Sequence, residues 1–422
     1  FPVNMQVNLG LFEASIWPKE FNVEQTQNQL ALLFETDFTR QRWLVTMPSG
    51  SVIECVLDTG SIKANDQQAL ISEIELELQS GHSDDVFVLA HYISSHINVR
   101  LGFQSKAARG YQLLAGKVLR CKELKTIRLP NNVLVETSIS QCLGDALSFV
   151  QHHEHVFCAS LSPKSLRRVI DGWSLLIHVL ETFSEFAEQS QVHDFIVGFK
   201  SIREQHKWVD AFYQLSQLQS RKSPYRKDIE NSEFLSHLMA QQQLSEQKLI
   251  KAAAFFSSAE YNQLLLNFIR WLTNKSWRSE IPLSQLEKLS LPQDSVAPDW
   301  LQQDTKTLNA ALADYQQNPE QANLVALYWP LAEALLSGIM VGSLYGDAWD
   351  STRNGQHDLL VGCEEFLLLK RLETLLNSDE VTDVKDGLVE EYLQWVQGKQ
   401  KSLNMALGAS IANISQRRPF WQ

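Results

Sequence analysis

In the stretch Ile71-Ser72-Glu73-Ile74-Glu75-Leu76-Glu77-Leu78, carboxylates alternate with apolar side chains. As a β-strand this sequence puts Glu73, Glu75 and Glu77 on one face and Ile74, Leu76 and Leu78 on the other. Three carboxylates on one face repel each other unless cations lie opposite. The residues alone leave two readings open. One is a solvated sheet face with lysines on neighbouring strands. The other is a divalent metal site, since hard Mg²⁺ or Mn²⁺ takes carboxylate oxygens. A second candidate strand carries Arg40 and Arg42 on one face, and a third carries Glu54 and Asp58, again on one face. Lys63, Arg100, Lys106 and Arg109 follow. Singly, each of these fits an ordinary surface charge. As a set they are strands whose polar faces alternate acid and base. A closed barrel with such an interior could hold a polyanion with metal: basic side chains take phosphate oxygens, and carboxylates take the metal and the attacking water.

The elements that must position these residues read as β up to about Arg128. Short alternating runs recur at 43–47, 52–57 and 71–78, separated by turn residues at Pro48-Ser49-Gly50 and Asp58-Thr59-Gly60. One amphipathic helix is predicted near 84–96. From about Val133 the period changes to helical, as in Leu166, Ile170, Trp173, Leu176, Ile177 and Leu180. Gln-rich helices are expected at 235–256 and 261–272. Pro130-Asn131-Asn132 marks a linker, and Pro282, Pro292 and Pro298 mark a second break. The predicted domains are 1–120, a linker at 121–132, and 133–422 in halves of about 133–275 and 296–422. The fold class is α+β: part of an antiparallel barrel, then two helical bundles.

A chain of 422 residues exceeds one ordinary domain. It begins with Phe1, followed by neither a basic n-region nor a continuous apolar stretch, so it is expected to be cut from a longer precursor. No run of 18 apolar residues suggests a membrane span. Cys55, Cys121, Cys142, Cys158 and Cys363 are odd in number and widely spread, without CxxC; this argues against a disulfide framework or structural zinc and for a cytoplasmic home. Residues 1–130 hold 12 Lys and Arg against 14 Asp and Glu, a net −2, which leaves −10 for the rest of a chain totalling −12. That acidity disfavours general nucleic-acid binding.

Four ordered segments carry a family resemblance. Phe34-Glu35-Thr36-Asp37-Phe38-Thr39-Arg40-Gln41-Arg42-Trp43-Leu44-Val45 resembles the basic strand of CYTH domains. Ile53-Glu54-Cys55-Val56-Leu57-Asp58-Thr59-Gly60 is similar to their acidic strand, and Ile71-Ser72-Glu73-Ile74-Glu75-Leu76-Glu77 to their metal-binding strand. Ser105-Lys106-Ala107-Ala108-Arg109-Gly110-Tyr111 resembles their closing Ser-Lys segment. Order and spacing agree with bacterial CYTH–CHAD inorganic triphosphatases, members of the triphosphate tunnel metalloenzymes, over residues 1 to about 117. The helical remainder resembles a CHAD domain by position, length and segments such as Leu359-Leu360-Val361-Gly362-Cys363-Glu364-Glu365.

The resemblance implies a tunnel that hydrolyses inorganic triphosphate with Mg²⁺ or Mn²⁺. Arg40, Arg42, Lys63 and Lys106 would bind phosphates, with Arg100 and Arg109 as further candidates. Glu54 and Asp58 would line the tunnel, and Glu73, Glu75 and Glu77 would hold metal or orient water; Lys106 joins Glu54, Asp58, Glu73 and Glu75 in the expected catalytic set. The sequence departs from the family in two places. No Glu-x-Glu-x-Lys strand occurs in residues 1–35, and residues 1–9 are uncharged, so the N-terminal strands are expected to be missing. The helices where CHAD relatives place arginine carry Ile170, Ser174 and Ile177, and 319–336 has no Lys or Arg. The helical part is therefore expected to be a scaffold that binds long-chain polyphosphate weakly, if at all. His152, His153 and His155 are expected at the surface. Nucleoside or thiamine triphosphate hydrolysis, a CYTH-type adenylate cyclase, a non-catalytic phosphate-binding or scaffold protein, and an inactive fragment are the alternatives. No nucleic-acid or membrane partner is expected.

Overall fold

The computed structural model describes residues 7–116, 119–187, 191–218, 223, 225, 227, 246–378 and 386–422. Residues 1–6 and the first half of the expected Gln-rich helix at 235–256 lie outside these described residues. The chain divides into two compact units, Phe1–Val86 with Gly102–Leu119, and Phe87–Leu101 with Arg120–Gln422.

The first unit is built on three antiparallel strands in the order β1-β2-β3: β1 Glu35–Thr46, β2 Val52–Ala64 and β3 Gln67–Ser80. The strand runs expected at 43–47, 52–57 and 71–78 lie within them, but the turn expected at Asp58-Thr59-Gly60 does not form, because those residues pair in register with Glu73, Ser72 and Ile71. Gly50, at φ 92°, closes the first turn, where Met47 N–H donates to Ser51 O at 2.8 Å. The second turn has two residues, Asn65 and Asp66, between the paired Ala64 and Gln67. Asn65 takes the left-handed conformation (φ 51°) that such a tight hairpin requires. A short helix, α1 (Val23–Gln29), precedes the sheet, capped by the Asn22 side chain. Helix α3 (Lys106–Leu114) packs on the sheet. Ser105 caps it, its Oγ accepting from Ala108 N–H at 3.1 Å. Gly110 lets α3 approach closely, since a Cβ there would stand 2.3 Å from the Phe34 ring.

Helix α2 (Asp84–His96) contains the division between units. Its first residues belong with the sheet, where Ser51 Oγ donates to Asp85 Oδ2 at 2.5 Å. Leu89 and Ser94 are buried, and the following segment groups with the helical unit; Asn262 Nδ2 donates to Val99 O at 2.6 Å.

Among the described residues the second unit is helical, apart from one isolated bridge between Leu134 and Pro292. Helix α4 (Val135–Ser160) and α5 (Pro163–Ser184) form an antiparallel hairpin. Leu161 in the left-handed conformation ends α4, and Pro163 starts α5 at a position needing no amide hydrogen. Helices α6 (Val192–His206) and α7 (Trp208–Leu218) follow, then Ala259–Asn274, Ala297–Gln317, Tyr328–Val341, Asp347–Leu376 and Asp386–Ser415. The largest core cluster is aromatic, with Trp173, Phe183, Phe268, Trp271 and Trp277 fully buried. It also takes in Trp300 and Met340, so the two expected halves share a core. Residues 121–132, expected as a linker, are tied into this unit: Ile127 is buried and its N–H donates to Ile339 O at 2.9 Å, and Trp349 Nε1 donates to Thr126 Oγ1 at 2.8 Å. The stretch Gln321–Tyr345, of mean hydropathy 1.7, is long and apolar enough to cross a membrane by composition, and 56% of its most apolar window is buried inside the unit. Core packing accounts for that composition.

Candidate active site

The site is built from one face of the sheet and the start of α3. Arg40 on β1 pairs opposite Asp58 on β2, and Asp58 pairs opposite Glu73 on β3. Strand parity then places Arg42, Glu54, Glu75 and Glu77 on the same face. Asp58 is the hub and is fully buried. Its carboxylate accepts a two-pronged bond from Arg40, at 2.7 Å from Nε and 2.6 Å from Nη2. Lys106 Nζ lies 2.7 Å from Asp58 Oδ2 and 2.9 Å from Glu75 Oε1, and also pairs with Glu73. Arg40 reaches Glu75 at 2.9 Å, and Arg109 reaches Glu73 at 3.0 Å. Three carboxylates and three cations thus meet in one group.

Helix α3 delivers two of those cations. Ser105 fixes its first turn, so Lys106 and Arg109, three residues apart, share the face turned to the sheet. The electrostatics follow from this arrangement. The Arg40 bond holds the Asp58 carboxyl below the usual carboxylate range, against a burial that works the other way. Burial pushes Lys106 down, but its bonds to Asp58, Glu73 and Glu75 outweigh that and hold it above the usual lysine range. The Asp58 bond likewise raises Arg40. All three groups are charged at neutral pH.

Asp58, Glu73 and Glu75 each present an oxygen within 4.8 Å of the others, a spacing one cation could bridge. Carboxylate oxygens in this number suit Mg²⁺ or Mn²⁺. Lys106 stands among the same oxygens, so a metal and the lysine compete for them.

Several expected residues lie elsewhere. Glu77 is exposed, opposite Glu54 and outside the carboxylate group. Arg42 forms a separate pair with Glu54 at the rim of the same face. Lys63 is exposed towards the far end of β2 and forms no ion pair among the described residues. Arg100 falls in the helical unit, where its Nη2 lies 3.3 Å from His155 Nδ1. One residue that the sequence reading gave no role is Phe38. Its ring has Arg40 at 5.7 Å and Lys106 at 5.3 Å from its centroid. The signal was present in its parity with Arg40 and Arg42.

The helical unit corrects a further expectation. His152 and His153 are buried. His152 Nε2 bonds Arg120 O at 2.9 Å, and His153 accepts from Lys122 N–H at 2.9 Å while bonding Phe149 O at 2.8 Å. Helical spacing on α4 turns them towards Arg120 and Lys122, at the start of the stretch expected as a linker. Arg167 and Arg168 on α5 are already engaged. Arg167 pairs with Asp171, with Asp210 at 2.6 Å and with Glu364 at 3.1 Å; Arg168 pairs with Glu123 and with Asp171 at 2.8 Å.

Over 81 residues the chain is 41% identical to a protein of Haemophilus influenzae named inorganic triphosphatase. That match covers 19% of this chain and 23% of the relative, so the chain spans about a quarter of that relative's length. A crystal structure of the CHAD domain from the plant Ricinus communis superposes with a TM-score of 0.56 at 16% identity, covering 71% of this chain and 98% of that one. Together the two likenesses fit a CYTH–CHAD arrangement. At that identity the CHAD likeness shows fold alone, and the triphosphatase likeness reaches the chain through a short segment. No family model matches the chain.

Proposed function

We propose that the strand-and-helix site belongs to a phosphoanhydride hydrolase whose substrate is inorganic triphosphate and whose cofactor is Mg²⁺ or Mn²⁺, with the helical unit as scaffold. The observation that carries this reading is the balanced group of Asp58, Glu73 and Glu75 with Arg40, Lys106 and Arg109 on one sheet face. The 41% identity to a protein named inorganic triphosphatase supports it.

The group behaves as an exchangeable ion lattice. Without ligand the cations satisfy the carboxylates. A polyanion arriving with a divalent cation offers both sides new partners: Arg40, Lys106 and Arg109 turn to phosphate oxygens, and Asp58, Glu73 and Glu75 turn to the metal. Neither set is left unpaired in a partly buried site, which would be costly. The metal, when bound, would polarise the terminal phosphate and lower the pKa of an attacking water. The chain's own cations neutralise charge on the oxygens of the terminal phosphoryl group as its bond to the bridging oxygen breaks and the bond to water forms. Each carboxylate would give the metal one oxygen, and the second oxygen of Glu73 or Glu75 would accept the water's proton.

The test is phosphate release from triphosphate by the full-length protein in Mg²⁺ or Mn²⁺. Triphosphate should be cleaved better than pyrophosphate, EDTA should abolish turnover, and Glu75→Ala should lower kcat/KM by about a hundredfold or more. Glu75 is part-exposed, and Arg40 and Lys106 keep Asp58 as a partner without it, so its removal should leave the melting temperature near wild type. Turnover unchanged by EDTA or by Glu75→Ala would contradict the reading.

A further inference from the structure

Phe38 occupies an unexpected place. It is a large apolar residue on the polar face of β1, between Thr36 and Arg40, and it is only half-buried. Opposite it on β2 stands Gly60. A Cβ on Gly60 would lie 2.1 Å from Asp37 O and 2.4 Å from Phe38 Cα, so the bare glycine is what lets β1 pass this close at Phe38. Both cations that hold Asp58 lie within reach of the Phe38 ring, Arg40 at 5.7 Å and Lys106 at 5.3 Å. The face of an aromatic ring attracts cations at such distances without offering an acceptor that must be desolvated.

We propose that Phe38 is a positioning residue that keeps Arg40 and Lys106 aimed into the site when their carboxylate partners are taken by metal. This rests on the triphosphate reading above. Asp58, Glu73 and Glu75 hold the two cations only while they are free. Once a divalent cation claims those oxygens, two long flexible side chains of like charge remain a short distance apart. Their repulsion and rotamer freedom would both carry them towards water. Among the described residues, Arg40 and Lys106 share Asp58, Glu75 and this ring, and of the three the ring is the one a metal would not claim. It therefore acts on phosphate affinity in the metal-loaded state and leaves the carboxylates' affinity for metal alone.

The experiment compares wild type, Phe38→Leu and Phe38→Tyr in the full-length protein by two calorimetric titrations, one with Mn²⁺ alone and one with triphosphate at saturating Mn²⁺ and low temperature. Leucine keeps an apolar side chain without the ring, and tyrosine keeps the ring. We expect Phe38→Leu to bind triphosphate roughly five- to thirtyfold more weakly, Phe38→Tyr to stay within about twofold of wild type, and Mn²⁺ affinity to be unchanged in both. A merely structural role would weaken Mn²⁺ and triphosphate together in Phe38→Leu, and that outcome overturns the inference. So does equal triphosphate affinity in wild type and Phe38→Leu, which leaves the triphosphate reading standing. Absence of triphosphate binding by wild type overturns both.

Discussion

Asp58 in the sheet unit and Glu154 in the helical unit are both buried carboxylates, and they are held in opposite states. Asp58 is ringed by Arg40 and Lys106 and is kept ionised, its pKa below the usual range. Glu154 accepts a bond from the Tyr261 hydroxyl, and burial pushes it up to about 8 despite the nearby Arg100. Burial alone neutralises an acid; burial among bonded cations fixes its charge. The same contrast appears among the cations. Arg40 and Arg109 are part-exposed and bonded to groups that a ligand can reach. Arg167 joins four helices, taking Asp171 on α5, Asp210 on α7, Tyr328 on its helix and Glu364 on Asp347–Leu376. Under the proposed function, the ion pairs of the sheet unit are the ones a ligand exchanges. In the helical unit they bind helix to helix.

The sharpest way to break this comparison is to delete one ion of each kind. Arg167→Ala leaves Asp171, Asp210 and Glu364 without their shared partner, and should cost about 3–5 kcal/mol of stability. The rate of triphosphate hydrolysis per folded molecule should not change. Chemical denaturation and turnover on the same preparation read both quantities. Glu75→Ala should show the reverse pattern, with activity lost and stability kept. If Arg167→Ala proved neutral to stability, the staple reading of that network would fail.

The pH dependence tests the pair of buried acids. His153, desolvated, has its pKa pushed down to about 4 from the ordinary 6.5. Between those values the unfolded chain takes up a proton that the folded chain refuses, so stability falls as pH drops through that window. Glu154 runs the other way. Its folded pKa of about 8 lies above the ordinary 4.5, so its contribution is fully present below the lower value and is lost as pH rises through the upper one. From about pH 4.5 to 6.5 the two slopes oppose each other; above about 6.5 His153 no longer contributes, and Glu154 acts in the same direction as other acids raised by burial, Asp210 and Glu364 among them. Stability should therefore decline between about pH 6.5 and 8, with about 2 kcal/mol of the decline due to Glu154. Glu154→Gln keeps an oxygen for Tyr261 and cannot ionise. It should flatten that limb in melts taken across the range. Asp58 contributes nothing to it, because it is ionised throughout. An unchanged limb in Glu154→Gln would assign the decline to another group.

Sequence patterning made the sheet unit legible and the helical unit less so, for a physical reason. A strand has period two, so the parity of Glu73, Glu75, Arg40 and Arg42 names their face once the strands are drawn. The antiparallel register then fixes which pairs meet, and only the end of the run, Glu77, falls outside. On a helix, parity is replaced by angle, and the partner is another helix distant in sequence. Arg167 and Glu364 lie 197 residues apart, and no spacing rule joins them. The same gap explains His153, whose partner is the backbone of Lys122 on a segment with no pattern of its own. Arg100 reads as one more cation near the site motifs, yet its segment groups with the helices because α2 turns Leu89 and Ser94 into a buried face.

The smallest expected effect concerns long-chain polyphosphate, which the helical unit should bind weakly if at all. A polyanion needs cations that are free to meet it. On α5 the three candidates are Lys164, Arg167 and Arg168. Arg167 already serves Asp171, Asp210 and Glu364, and Arg168 serves Asp171 and Glu123. Lys164 is exposed and forms no ion pair among the described residues. One free lysine is too few for a flexible polymer, and salt screens it further. The surrounding charge acts in the same direction, since residues beyond 130 carry −10 of the chain's −12. Polyphosphate could draw Arg168 away from Glu123, an exposed partner, but Asp171 on the same helix would hold it back. Calorimetry of the full-length protein with long-chain polyphosphate, at about 0.15 M salt, should then show no difference between wild type and Lys164→Ala/Arg168→Ala. Any binding at the sheet site is common to both and cancels. A tight phase present in wild type and absent from the double variant would make α5 a polyphosphate site, and the two regions would no longer differ in whether their cations can be reached.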